Sequence, residues 1–247
     1  MLIHDNDTLF SRLDKLGPDD AMVGRVRVRP GEEWVLFFLE KRGVRLCPSA
    51  LSQLLSRSKV MQAALLKRFM PPLTRTVYTR HDLFEVIGEY GREKVGRVVS
   101  KLDRGDGGLG IHLWSDIEAL HNQATFGSLP FPFVVQPYLE NCRDLRLVIL
   151  GDYCEAYWRE NPAGFRNNLH AGGISRPVEP EAAWLDFAAE VMQAGDFPYG
   201  HIDLLFSGEV FFLGEINLRG GLHGAVISPE EYRARIEAIH QAFIEAR

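Results

Sequence analysis

Residues 201–224 read HIDLLFSGEVFFLGEINLRGGLHG. Apolar residues alternate with Asp203, Glu215 and Asn217, the period-2 signal of half-buried strands. Ser207-Gly208 sits where a hairpin turn belongs. Glu215 and Asn217 lie two apart, so in a strand they share a face. A two-residue loop at Ser207-Gly208 would put Asp203 opposite Phe212, on the other face. A three-residue loop or one bulge puts Asp203 opposite Leu213, on the face of Glu215. That register pairs Leu204 with Phe212 and Phe206 with Val210. It leaves one face apolar and gives the other two carboxylates and an amide, so the odd loop or a bulge is expected.

Two carboxylates and an amide oxygen on one sheet face suit a hard cation such as Mg²⁺, which takes oxygen ligands and shares its sites with phosphates. A solvated outer face of an edge hairpin would carry the same pattern. The rest of the chain has to decide between them.

The chain has 247 residues, enough for one large domain or two small ones, and 46% apolar residues supply a core. A net charge of −5 and the lack of a long basic run argue against a nucleic-acid surface. The longest strongly apolar run, Trp34 to Leu39, is too short for a bilayer, so no membrane association is expected. The N-terminus MLIHDNDTLF lacks the pattern of a signal peptide. Cys47, Cys142 and Cys154 are far apart, which fits a reducing cytoplasm.

Along the chain, VGRVRVRP reads as a strand with alternate arginines, and EEWVLFFLEKRG as a short strand or buried helix ended by Gly43. SKVMQAALLKRF (58–69) reads as a helix capped by Ser58, with Lys59 in its first turn. A cation there is disfavoured by the helix dipole and would be better placed beside an anion, although a lone solvated lysine is commoner. A second helix runs from Thr79 to Gly91. Val95, Val98 and Val99 mark a strand that exits at Lys101, and Ile111-His112-Leu113-Trp114 returns. Between them Gly105, Gly107, Gly108 and Gly110 form a loop. It matches GxGxxG, but no helix begins inside it, so it reads as a hairpin flap rather than a dinucleotide turn. Such glycines let backbone N–H groups surround phosphate oxygens, beside the point charge of Lys101.

SDIE opens a helix as a capping box of Ser115 with Glu118. FPFVVQPYLE is a strand running into a polar segment. NCRDLRLVILGDYCEAYWRE is a hairpin turning at Gly151-Asp152, with Asp144, Arg146 and Arg159 on one face. NPAGFRNNLHAGGISRPV has little periodicity and many ligand-contacting groups. Pro180 starts a helix that Gly195 ends, and Ser228-Pro229-Glu230-Glu231 starts the last one.

The order of these pieces resembles the ATP-grasp superfamily, most closely the branch of the ribosomal-protein glutamate ligase and related amino-acid ligases. It is carried by a helix lysine, a lysine before a glycine flap, a short polar hinge, a D-x-R hairpin, FRNNLHAGG and GEIN. The stretch is roughly 56–225. The implied fold class is α+β: two α+β lobes holding ATP between antiparallel sheets, with a reduced N-terminal domain. The implied divisions are 1–55 for that segment, 56–130 for the small lobe with its flap, and 131–247 for the C-terminal lobe with the metal site.

By the resemblance, Lys59 and Lys101 contact ATP phosphates under the flap from Gly105 to Gly110. Gln136, Pro137, Tyr138 and Leu139 form the adenine hinge; Asp144 approaches the ribose end or orients Arg146, both being counted among the ATP-binding residues. Arg159, Arg166 and Asn168 line the phosphate and acyl region as catalytic residues. Asp203, Glu215 and Asn217 hold one or two Mg²⁺ ions, with Mn²⁺ as an alternative. His170 and Arg219 reach the substrate. Ala171 replaces the arginine of the usual LHRGG, and Arg219 restores that charge from another strand. The implied reaction is ADP-forming ligation of a small-molecule or peptide carboxylate to an amine through an acyl phosphate. The alternatives are a small-molecule kinase or a non-catalytic nucleotide sensor or scaffold. A homo-oligomer or a partner subunit would complete a shortened acceptor domain.

Overall fold

The computed structural model describes residues 1–105, 110–161 and 173–246. The chain begins with β1 (Leu2–Ile3), α1 (Asn6–Ser11), β2 (Ala21–Val23), α2 (Trp34–Lys41), β3 (Arg45–Cys47) and α3 (Ala50–Leu55). The three strands form a parallel sheet, β1-β2-β3. Ile3, Leu9, Met22, Leu36 and Leu39 fill its core. EEWVLFFLEKRG is thus the helical alternative, closed by Gly43 at φ +77°. The expected strand at VGRVRVRP does not form: β2 ends at Val23, and residues 24–30 are not in a strand. The reason is local, because side chains take both backbone groups of Val26. Gln53 Oε1 accepts from its N–H at 2.7 Å, and the Arg57 guanidinium donates to its carbonyl.

Next come α4 (Lys59–Leu65), β4 (Arg75–Val77), α5 (Arg80–Arg92), β5 (Val98–Leu102), β6 (Ile111–Trp114), α6 (Ile117–Thr125) and β7 (Phe133–Pro137). Their strands form an antiparallel sheet in the order β4-β7-β5-β6. Ser58 caps α4 and accepts from the Met61 N–H, and Thr79 with Asp82 closes a capping box on α5. The box expected at Ser115 and Glu118 is absent; Asp116, one residue later, is the cap and accepts from Ala119. β7 joins this sheet, so a boundary at 130 would cut it from its partners β4 and β5.

The remainder is β8 (Arg143–Leu150), β9 (Tyr153–Glu160), β10 (Ile174–Val178), α7 (Ala182–Gly195), β11 (Tyr199–Ser207), β12 (Val210–Asn217) and α8 (Pro229–Glu245). These strands form an antiparallel sheet, β10-β9-β8-β11-β12. Trp184 of α7 packs edge-on against Trp158 and Phe206, covering the apolar face. α7 starts at Ala182 with Glu181 as its cap rather than at Pro180, and ends in a left-handed Asp196.

The hairpin of β11 and β12 contains the expected bulge, in a different register from the one read from sequence. The turn is Gly208-Glu209, because Ser207 pairs with Val210. Leu204 then faces Leu213 and Phe206 faces Phe211. The shift falls between Asp203 and Leu204, and Gly214 is the extra residue. A Cβ at Gly214 would lie 3.0 Å from Leu205 Cγ and 3.2 Å from the Asp203 carbonyl, so the bulge depends on its absence. Asp203 accordingly lies opposite Glu215 rather than Leu213, and the two carboxylates share a face as expected.

Candidate active site

The bulge sets two rows of side chains across four strands. One row runs Tyr157, Arg146, Asp203, Glu215; the next runs Glu155, Val148, His201, Asn217. Asp144 and Arg159 face each other one step along the same surface. The three oxygen-bearing side chains expected to hold a metal are therefore neighbours on one face of the five-stranded sheet.

Helix α4 brings the other wall. Gln62 is almost fully buried and hydrogen-bonds both backbone groups of Ile216, donating to its carbonyl at 2.9 Å and accepting from its N–H at 3.0 Å. Ile216 sits between Glu215 and Asn217, so this clamp fixes α4 against the candidate metal ligands. One turn earlier, Lys59 Nζ lies 3.0 Å from Glu215 Oε1 and 2.6 Å from the Gly105 carbonyl. Lys101 reaches β12 from β5 and donates to the Gly214 carbonyl at 3.2 Å. Burial pushes its pKa down, and Glu215 opposes that shift.

The acidic groups are matched by protein cations. Arg146 grips Asp203 through two contacts of 2.7 and 2.9 Å, and Arg159 adds a third at 2.9 Å. Arg159 also holds Asp144 at 2.5 Å. With two guanidiniums against it, Asp203 is held ionised well below the usual carboxylate range despite burial. Among the described residues Asp144 is hydrogen-bonded through one oxygen, and burial pushes its pKa up. Asp144, Arg146 and Arg159, read from sequence as sharing a face, form with Asp203 a buried network.

The flap is anchored at its root. Leu102 N–H donates to the Gly110 carbonyl at 2.8 Å. A Cβ on Gly105 would lie 3.2 Å from Gly110 Cα, so the two sides pass too closely for side chains. Asp103 accepts from Ser58 Oγ at 2.8 Å, and Arg104 pairs with Glu33 of the N-terminal unit. At the hinge, Gln136 and Pro137 lie in β7, buried and half-buried respectively, and Tyr138 N–H donates to the Arg97 carbonyl. Leu139 follows and Arg97 stacks on the Tyr138 ring. Arg219 is exposed in the loop after β12. Gly107, Gly108, Arg166, Asn168 and His170 lie outside the described residues.

Sequence reading missed Gln62, Glu155 and His201. Glu155 is buried on β9 and accepts from the N–H groups of Val226 and Ile227 at 2.8 and 3.2 Å and from Tyr153 Oη. His201 is nearly fully buried and shares a 2.9 Å hydrogen bond with Tyr232 Oη. Burial, with Arg146 nearby, pushes its pKa down to about 3. For Gln62 the sequence signal was slight: one polar residue, one turn on from Lys59, in a helix whose other buried residues are Val60 and Ala63.

Asp203, Glu215 and Asn217 offer only oxygen donors, as Mg²⁺ requires, and both carboxylates already hold cationic groups in the structure. The donor set fits such an ion. Among the described residues no cluster of three or more His, Cys, Asp or Glu side chains is arranged as a metal site, so the amide of Asn217 would be part of the set. No helix among the described residues is long and apolar enough to cross a membrane.

Comparison with known proteins bears on the fold and the family. The fold is similar to a D-Ala:D-Ser ligase from Enterococcus faecalis, with a TM-score of 0.65 at 15% identity, over 89% of this chain and 72% of that one. It is also similar to the ATP-grasp ligase PsnB, solved with a phosphomimetic variant of its minimal precursor, Mg and ADP, at a TM-score of 0.59 and 18% identity, over 89% and 78% of the two chains. In sequence, a probable alpha-L-glutamate ligase from Enterobacter sp. (strain 638) is 27% identical over 176 residues, 68% of this chain. The match spans 58% of that relative's length. The model of the RimK-like ATP-grasp domain matches residues 52–231, most of the chain, and the chain belongs to that family.

Proposed function

We propose that the protein is an ATP- and Mg²⁺-dependent ligase that joins a carboxylate to an amine through an acyl phosphate, releasing ADP. The observation that carries the reading is the meeting of Lys59 and Lys101, from two different elements, at the Gly214-Glu215 bulge beside Asp203. Two cations and two carboxylates converge where β5 of the four-stranded sheet reaches β12 of the five-stranded one. The family supports the same reading.

Phosphoryl transfer asks a protein for positioning and charge neutralisation more than for covalent chemistry. In this proposal Asp203, Glu215 and Asn217 hold Mg²⁺, which when bound neutralises phosphate charge. Lys59 and Lys101 turn from Glu215 and the Gly214 carbonyl towards phosphate oxygens. Gln136 to Leu139 receive the adenine through backbone groups. Pro137 has no N–H, so its carbonyl and the Leu139 backbone remain for that contact. Arg159 and Arg146, held by Asp144 and Asp203, keep guanidinium N–H groups near the transferred phosphoryl and the acyl group. Arg166, Asn168 and His170 are proposed to complete that wall. The flap from Gly105 to Gly110 excludes water that would hydrolyse the acyl phosphate.

The test is nucleotide turnover with Mg²⁺ and pooled amino acids, for wild type and Glu215→Ala, with ADP resolved from AMP. Pool-dependent ADP release that disappears in the variant, with an amide product by mass, supports the ligase. A stable phosphate ester would make the protein a kinase. AMP release would overturn the acyl-phosphate route.

A further inference from the structure

Three consecutive residues, where the chain leaves β5 for the flap, are each held by a different contact. Asp103 Oδ1 accepts from Ser58 Oγ at 2.8 Å and from the Val60 N–H at 3.2 Å. The Gly105 carbonyl accepts from Lys59 Nζ at 2.6 Å. Between them Arg104 turns to the N-terminal unit, with Nη2 2.5 Å from Glu33 Oε1. Glu33 immediately precedes α2, and its other oxygen accepts from the Gly31 N–H at 2.8 Å. Glu33 Oε1 is shut off from solvent, and among the described residues its ion-pair partner is Arg104. The family match begins at residue 52, so Glu33 lies outside it.

Arg104 has a left-handed backbone, with φ +58°. A residue with a Cβ keeps that shape only where its surroundings enforce it. The ion pairs to Glu33, and to Asp103 Oδ2 at 3.5 Å from Arg104 Nε, supply that constraint. Both Glu33 and Arg104 are partly exposed, so their pair adds little to overall stability. Its effect is local, on the direction in which the chain enters the flap. Lys59 is a different kind of hold. Its ammonium is shared between the Gly105 carbonyl and Glu215 Oε1, the latter at 3.0 Å. In the reaction proposed above Lys59 turns to a phosphate oxygen, so its grip on Gly105 is lost when nucleotide binds. The grips on Asp103 and Arg104 do not involve the Lys59 ammonium and remain.

We propose that Glu33 is a positioning residue for the phosphate end of the nucleotide. Through Arg104 it keeps residues 103–105 in place while Lys59 exchanges the Gly105 carbonyl for a phosphate. The N-terminal unit thereby acts on the site without touching the nucleotide. The proposal rests on the ligase reading for the role of Lys59. It also differs from a purely structural tie in its reach. Adenosine has no phosphates and makes no demand on Lys59, so its binding does not depend on Glu33.

Calorimetric titration of the full chain with Mg-ATP and with adenosine, in the absence of amino acids, tests this. The proteins compared are wild type, Glu33→Gln, Arg104→Asn and the double variant. Asparagine tolerates a left-handed backbone, so Arg104→Asn removes the guanidinium and leaves the turn. Each single substitution should weaken Mg-ATP binding about three- to tenfold. The double variant should be no weaker than either single one, since the two side chains act as one pair. Adenosine affinity and Tm should stay at wild-type values. Additive losses in the double variant would overturn the proposal, because Glu33 would then act other than through Arg104. So would equal losses for Mg-ATP and adenosine, which a general loosening of the fold produces, or unchanged Mg-ATP binding in Glu33→Gln. Turnover with pooled amino acids separates this proposal from the reading beneath it. The expected nucleotide pattern without any amide product would keep the role of Glu33 and defeat the ligase reading. Amide formation by Glu33→Gln at the wild-type KM for ATP would do the reverse.

Discussion

Asp203 and Glu215 lie directly opposite each other across β11 and β12, yet their surroundings differ sharply. Asp203 is buried under two guanidiniums, while Glu215 is partly open and meets one ammonium. The same pair of carboxylates therefore separates into one that holds the sheet together and one that is free to exchange partners.

Substitution should reveal that difference. Asp203→Ala leaves Arg146 and Arg159 facing each other without their shared anion, a loss of about 3–5 kcal/mol for a broken buried pair. Glu215→Gln removes a partly solvated partner of Lys59, which keeps the Gly105 carbonyl, so its cost is within about 1 kcal/mol. Urea unfolding of both variants checks the order. ADP release should fall in both, so a stable but inactive Glu215→Gln is the expected result. Equal destabilisation would mean that the arginine network does not hold Asp203 as described.

Gln62→Leu should be costly for a different reason. Leucine matches the size of the side chain but strands the Ile216 N–H and carbonyl in the interior. Two orphaned backbone groups cost about 2–6 kcal/mol together. Lys59 is on the same helix, so its distance to Glu215 should change as well. The KM for ATP should rise in any variant that still folds. Denaturant midpoints and ATP kinetics measure the two effects separately.

Sequence patterning carried the elements whose physics is local. The alternation in residues 201–217 and the caps at Ser58 and Thr79 were legible because each depends on neighbours a few places away. The bulge was legible only as a parity argument, and its position was not, because Gly214 is required by contacts with Leu205 across the hairpin. The strand read at 24–30 failed because Gln53 and Arg57 supply the hydrogen bonds that a neighbouring strand would have made. Gln62 meets Ile216 at a separation of 154 residues, and no period in the sequence encodes such a meeting. The candidate ligands were thus readable, while the residues that hold them in place were not.

Glu155 ties the sheet to the start of α8. Its carboxylate accepts from two consecutive N–H groups, Val226 and Ile227, just before the Ser228 cap. Glu155→Ala should cost about 1–3 kcal/mol by leaving the buried Ile227 N–H unpaired. Glu155→Gln keeps an acceptor oxygen and should cost less. Limited proteolysis should show faster cutting between Leu222 and Ile227 in the alanine variant than in the glutamine variant. Equal cutting rates would show that the loop is held by other contacts.

His201 makes the fold sensitive to mild acid. Its ring is buried against Tyr232, with the Arg146 and Arg159 guanidiniums and the Asp203 carboxylate acting on it, and its pKa is pushed down to about 3. In the unfolded chain the ring gains a proton below about pH 6.5. Between those values the unfolded state binds one more proton than the folded state, so stability falls as pH falls. The loss is about 2 kcal/mol between pH 7 and pH 5 for this group alone. His240, half-buried and also shifted down, adds a smaller slope that is common to wild type and variant. His201→Gln should be less stable at pH 7.5, where it disturbs the Tyr232 contact, yet show a flatter decline towards pH 5. Unfolding free energies at pH 7.5, 6 and 5 for both proteins decide the matter. Parallel declines would mean that the ring is protonated in the folded state despite its burial.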